Sequence, residues 1–299
     1  MNNIKSIFSI KDLENLTGTK AHTIRIWEKR YNLLEPERTD TNIRYYSLAN
    51  LQKLLNITYL KENGYKISKI AALENSEIPT LVSDVALKDK TNNHTLSTLK
   101  LAMVNFDQRL FYETYETLKN EKSFSDIFYE EFIPLLTEIG MLWQTDTITP
   151  AHEHFATTLI RQKILINTEA IQAKNQSRSK TVFVLYLPDN EVHELGLMML
   201  NYEIIAHGHQ SIYLGQSVPI AGLKDILNYY DDITFVSYFT VKPEKDHIHD
   251  YIKTFTETLL IKKEVRFWLL GRMLCELDFD KLSKQITPFD SLKNLVKKL

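Results

Sequence analysis

Thr181-Val182-Phe183-Val184-Leu185-Tyr186-Leu187 decides the fold of the second half of this 299-residue chain. Apolar residues follow one another there without polar alternation, and β-branched and aromatic side chains prevail. That is the pattern of a strand buried on both faces, as in a parallel sheet. Similar runs are Ser211-Ile212-Tyr213-Leu214, Ile233-Thr234-Phe235-Val236-Ser237 and Val265-Arg266-Phe267-Trp268-Leu269-Leu270. Segments with helical spacing separate them, at about 193–206, 220–230 and 243–262. The alternation predicts a Rossmann-like, doubly wound parallel sheet over residues 180–299. Ligands on such sheets bind beyond the carboxyl ends of the strands. Glu191-Val192-His193-Glu194-Leu195-Gly196 lies just past the first strand, where that rule puts a site.

Upstream, the period is that of helices. Leu99, Met103, Phe106, Leu110, Phe111, Tyr115 and Leu118 form one apolar face. Phe128, Phe132, Leu135, Leu136, Ile139, Leu142 and Trp143 form a second, and Phe155, Leu159, Ile160 and Ile164 a third. Three or four antiparallel helices would bury these faces as a bundle over residues 95–175. Near its end Trp143 precedes the pair Glu153-His154. Residues 76–94 mix Asn, Ser, Thr, Asp, Lys and one Pro without a clear period, which predicts a linker.

Residues 1–75 are punctuated differently. Ser9 can cap one helix, a second runs from about Lys20 to Tyr31, and Ser47 can cap a third that Gly64 stops. Between them Pro36 to Tyr46 is polar and irregular, like a wing. The second helix has an apolar side, Ile24, Trp27 and Tyr31, and a polar and basic side with Thr23, Arg25, Lys29 and Arg30. This is what a helix-turn-helix reader presents to DNA. Charge agrees: residues 1–75 hold 12 Lys+Arg against 8 Asp+Glu, leaving 24 against 30 for the rest. A basic head on an acidic body suits a nucleic-acid contact confined to one end. The single cysteine, Cys275, excludes an intrachain disulfide framework and fits a reducing cytoplasm. No apolar run approaches the ~20 residues of a membrane span, and no secretory leader is evident.

Three segments of the head, Thr23-Ile24-Arg25-Ile26-Trp27-Glu28, Leu33-Leu34-Glu35-Pro36-Glu37-Arg38 and Arg44-Tyr45-Tyr46-Ser47, together resemble the winged helix-turn-helix of the MerR family. The resemblance implies that the second helix enters the major groove, with Thr23 and Arg25 facing bases. It makes Arg38, Arg44 and Tyr45 phosphate contacts. It also implies dimeric binding to a repeated double-stranded operator, inverted or direct.

The body resembles the CarH/LitR-type branch of that family, which fuses a MerR head to a cobalamin-binding bundle and a Rossmann-like cobalamin domain. In that likeness Trp143 packs over the upper face of the cofactor against its adenosyl group, with Glu153 and His154 close by. His193 ligates cobalt from below, Glu191 fixes its tautomer, and Gly196 lets a helix start approach the corrin. Ser237, in Ser237-Tyr238-Phe239, and Tyr213-Leu214-Gly215 border the nucleotide tail. Two departures stand out: Gly271-Arg272 replaces a pair of glycines, and Phe239 replaces a leucine. Arg272 would either block the tail channel or turn outward toward the cofactor's phosphate.

The function implied is that of a repressor, not an enzyme, whose oligomer, dimer or tetramer, is controlled by adenosylcobalamin and light. One alternative is a cofactor-independent regulator that kept the fold as a dimerisation or partner module. Another is a subunit of a cobalamin-dependent methyltransferase or mutase, against which the DNA-binding head argues. His152-x-His154 has zinc-like spacing, but no suitably placed Cys or further His accompanies it.

Overall fold

The structure, a computed structural model, describes residues 7–39, 41–88, 92–144, 148–173, 180–262 and 264–299. It forms two compact units, residues 1–160 and 161–299.

In the first unit, β1 (Ile7–Phe8) leads to α1 (Ile10–Thr17). The Ser9 hydroxyl accepts from the Asp12 amide while the Asp12 carboxylate accepts from the Ser9 amide, a closed capping box. Gly18 ends α1 in the left-handed region at φ 69°. α2 (Ala21–Tyr31) follows, then β2 (Glu37–Arg38), β3 (Arg44–Ser47) and α3 (Leu48–Glu62). β1 and β2 pair antiparallel on either side of β3, so the wing is three-stranded. The Ser47 hydroxyl caps α3 through the Asn50 amide.

α4 (Ile67–Ile70) and α5 (Glu77–Lys88) come next. Here the structure corrects the expected linker over 76–94, most of which is helical. Ile78 and Val82, one turn apart, are buried, and Pro79 sits in the first turn, where its missing N–H costs nothing. With Leu81 and Val85, both partly buried, Ile78 and Val82 recur at helical spacing, a period that the polar residues on either side of this short segment obscure. The bundle is α6 (Asn92–Val104), α7 (Gln108–Lys119), α8 (Phe124–Ile127), a π-helical turn Phe128–Phe132, α9 (Ile133–Gln144) and α10 (Pro150–Gln172). The rings of Phe111, Tyr115 and Phe132 stack in its core. The buried Thr98 hydroxyl of α6 donates to the buried Tyr59 hydroxyl of α3 at 3.2 Å, which joins head and bundle.

The second unit carries the end of α10, then β4 (Val182–Tyr186), α11 (Leu195–Ala206), β5 (Gln210–Gly215), α12 (Ile220–Leu223), β6 (Ile233–Tyr238), α13 (Ile248–Leu259), β7 (Val265–Leu270), β8 (Ile286–Pro288) and α14 (Leu292–Val296). The strands run parallel in the order β5-β4-β6-β7-β8. The chain therefore leaves β4 toward opposite sides, to β5 and then to β6. That reversal makes the end of β4 the switch point where a crevice opens. Tyr186, Phe235, Phe255 and Phe267 pack ring on ring beneath it.

Candidate functional site

The loop after β4 is built around one buried carboxylate. Glu191 is 1% exposed. Its Oε1 accepts from the amides of Val192 (2.9 Å) and His193 (3.0 Å) and contacts His193 Nδ1 at 2.6 Å. Its Oε2 accepts from the amides of Val241 (2.7 Å) and Lys242 (2.8 Å), beyond the end of β6. Burial by itself raises the Glu191 carboxyl, but these donors outweigh it and hold the group at about 2. The anion fastens two neighbouring strand-end loops together. His193 stays about half exposed. Its Nε2 has no hydrogen-bond partner among the described residues. Val192 and Val241 are exposed apolar neighbours of this pair, and Leu214 is exposed at the end of β5.

Glu194 ties the same loop to two other elements. Its carboxylate meets Arg161 of α10 at 3.1 Å and accepts from the Tyr213 hydroxyl of β5 at 3.2 Å. Nothing in the local sequence flags Arg161, and Tyr213 stands out there only as a border of the nucleotide tail, because the contact with Glu194 depends on tertiary placement. The Val241 and Lys242 amides are equally invisible, since backbone donors have no residue signature.

Other expected positions have protein neighbours of their own. Gly196 is close to a protein ring: a Cβ there would stand 3.0 Å from Tyr238 Cε2. Ser237 is fully buried and donates to the Tyr186 carbonyl at 2.8 Å, a bond that ties β6 to β4. Gly271 has φ +111°, and a Cβ would meet the Phe239 carbonyl oxygen at 2.2 Å, so glycine is required there. Phe239 is fully buried against Tyr251 and Phe267. Arg272 is exposed rather than inserted into that core. With Lys297 and Lys298 it lines a cleft of about 830 Å³ beside the ends of β7 and β8.

In the first unit the side chain of Trp143 lies outside the described residues. Glu153 and His154 lie near the start of α10, with His154 highly exposed. His152 turns the opposite way. It is buried, its Nδ1 lies 2.9 Å from the Thr149 hydroxyl, and Phe106 stacks on its ring at 4.5 Å. The two imidazoles therefore diverge instead of forming a zinc pair.

In the head, Arg25, Lys29 and Arg30 are exposed and Thr23 is partly so. The wing residues already have partners. Arg38 donates to Asn42 Oδ1 at 2.6 Å, Arg44 pairs with Glu28 at 3.5 Å, and the Tyr45 hydroxyl donates to Glu37 at 2.7 Å. Arg38 and Arg44 stand directly opposite each other across β2 and β3. Like charges so placed repel, and an anion between them would relieve the strain.

Residues 8–77 match the family described as MerR HTH family regulatory protein, and residues 95–166 match a B12 binding domain. The chain is thus a DNA-binding transcriptional regulator in plan, a MerR helix-turn-helix head with a B12-binding domain. More narrowly, it fits a CarH-type regulator. It is 26% identical to the HTH-type transcriptional repressor CarH of Myxococcus xanthus over 222 residues, 72% of this chain and 73% of that one. It is 25% identical to the repressor CarA of the same organism over 217 residues, 72% and 70% of the two chains. In fold it is similar to the monomethylamine corrinoid protein of Methanosarcina barkeri, with TM-score 0.57 and 14% identity over 70% of this chain and 98% of that one. Among the described residues no helix is long and apolar enough to cross a membrane.

Proposed function

We propose that this regulator is a cytoplasmic repressor whose oligomeric state and operator binding answer to adenosylcobalamin and light. Residues 1–75 serve as the DNA reader, 95–175 as the upper cap and 180–299 as the lower cradle of the cofactor. The observation that carries the reading is the Glu191–His193 pair at 2.6 Å, set at the switch point of the sheet. A buried anion that holds one imidazole nitrogen leaves the other as a metal ligand of fixed orientation. The exposed apolar side chains of Val192 and Val241 beside it suit the face of a large flat macrocycle. When bound, adenosylcobalamin supplies a cobalt–carbon bond that light can break.

The protein's own contribution is to hold, orient and report. His193 would supply a ligand to the cobalt, and Glu191 would keep the imidazole proton on Nδ1. Arg161 and Glu194 hold the His193 loop against α10. Trp143, Glu153 and His154 are assigned to the upper side by likeness to the CarH-type branch. Association of two or more heads would raise their effective concentration on a repeated operator without altering any base contact.

The test is retention. Purified protein is incubated with adenosylcobalamin in darkness, desalted, and its visible spectrum recorded before and after illumination. Retained corrin absorbance that changes in light is expected, and His193→Ala should abolish retention. A colourless protein that still binds operator DNA would overturn the cofactor reading.

That outcome would favour a second reading, a regulator working without cofactor. Full burial of Phe239 and the bond of Ser237 to the Tyr186 carbonyl speak for it, since both side chains are already satisfied by protein neighbours. Cobinamide, which lacks that tail, separates the two. Arg272→Ala should weaken retention of cobalamin and leave cobinamide unaffected if Arg272 meets the tail phosphate.

A further inference from the structure

Ile26 is 53% exposed on α2, and neither the fold nor the proposed cofactor site uses it. His22, Arg25, Lys29 and Arg30, all exposed, surround it at four before, one before, three after and four after. The opposite side of the helix is spoken for. Ile24 and Trp27 are buried, and the Glu28 carboxylate accepts from the Tyr46 hydroxyl and pairs with Arg44, which anchors that side to β3. At 100° per residue Ile26 stands about 160° round the helix from Ile24, close to the outward pole.

A lone exposed isoleucine on an ordinary surface needs no explanation. This one sits in a ring of three cations and a histidine, on the second helix of a helix-turn-helix. Such a ring draws the helix onto the phosphate backbone and presses whatever lies at its centre against the base edges. The apolar feature on the floor of a major groove is the C5-methyl of thymine. We propose that Ile26 reads one thymine methyl in each operator half-site, while Arg25 and Lys29 make the polar contacts beside it. The inference rests on the DNA-binding reading of the head. The side-chain type suits the task. A β-branched residue in a helix keeps essentially one χ1 rotamer, so its methyl groups are presented with little entropy left to lose.

The experiment uses the full chain. Duplexes that it binds are selected from a random pool, and each thymine of the selected operator is replaced singly by deoxyuridine, which removes only the C5-methyl. For the wild type, one position per half-site should lose about fourfold in affinity, the factor expected for burying one methyl group. Ile26→Ala should bind the thymine and uracil duplexes within about twofold of each other. Two results overturn the inference: a wild type indifferent to every uracil, or an Ile26→Ala variant as sensitive as the wild type at the same position. The wild-type scan stands whether or not the variant folds. If selection enriches no duplex at all, the DNA-binding reading fails first and takes this inference with it.

Discussion

His193 Nδ1 lies 2.6 Å from Glu191 Oε1, and the carboxylate in that contact is itself held by four backbone amides. The imidazole is therefore positioned by the loops that end β4 and β6 together, not by its own loop alone. Glu191→Gln would turn an amide NH2 toward donors that need an acceptor. We expect about 3 kcal/mol of lost stability and a 10–100-fold loss of cobalamin retention, against His193→Ala, which should lose retention with little change in stability. Urea unfolding and desalting retention check the pair. Equal stability of Glu191→Gln and wild type would contradict the geometry.

Acid should act on the two units in turn. Glu191 is held at about 2, below its ordinary 4.5, so its contribution is fully present above 4.5 and fades as pH falls toward 2. It is worth about 3 kcal/mol. Burial lowers His152, against hydrogen bonds with Thr149 and Val104 that raise it. Its contribution is present above the ordinary 6.5 and is lost as pH falls below that. Thermal unfolding followed from about pH 8 to about pH 3 should show an early decline that His152→Gln removes and a later one that it leaves. A wild-type midpoint flat through the first interval would count against a buried neutral His152.

Gly271→Ala should destabilise the second unit by roughly 3 kcal/mol or more, because the new methyl group collides with backbone at a φ that L residues avoid. The Phe239 carbonyl cannot retreat cheaply, since it accepts from the Met273 amide at 3.1 Å. Chemical denaturation reads the loss. A variant as stable as the wild type would mean that the β6 and β7 ends are not packed as described.

On DNA, Arg25→Ala should cost about 1–3 kcal/mol and relax preference at one operator position. Arg38→Ala should weaken all sequences alike and reduce the salt slope by about one. Binding isotherms over a range of salt concentrations distinguish the two. A sequence-dependent loss for Arg38→Ala would move it from the backbone to a base.

Much of this was legible in the sequence where one local rule sufficed. Ser9 and Ser47 announce their helices because capping is a three-residue interaction. The run from Thr181 to Leu187 announces β4 because burial on both faces leaves no polar residue to confuse it. β1 is only two residues long and exists through pairing with β3, so no period could mark it. β8 is as obscure, ending at a proline on the sheet edge. α5 was hidden because its apolar residues, Ile78, Leu81, Val82 and Val85, form a short stripe between polar flanks. At the site, Glu191 and His193 were visible as a motif, but the protein neighbours of Ser237 and Gly196, the Tyr186 carbonyl of β4 and the Tyr238 ring, were not. A motif records which residue types are needed, not which neighbour needs them.

The Tyr59–Thr98 bond has a bearing on protein engineering. A chimera that grafts this reading head onto a foreign sensor by splicing at residue 75 would leave Tyr59 and its surroundings on α3 without their cover from α5 and α6. The exchangeable part is longer than the helix-turn-helix and includes the bundle, so a designer seeking a transplantable module would carry the chain through to the middle of α10.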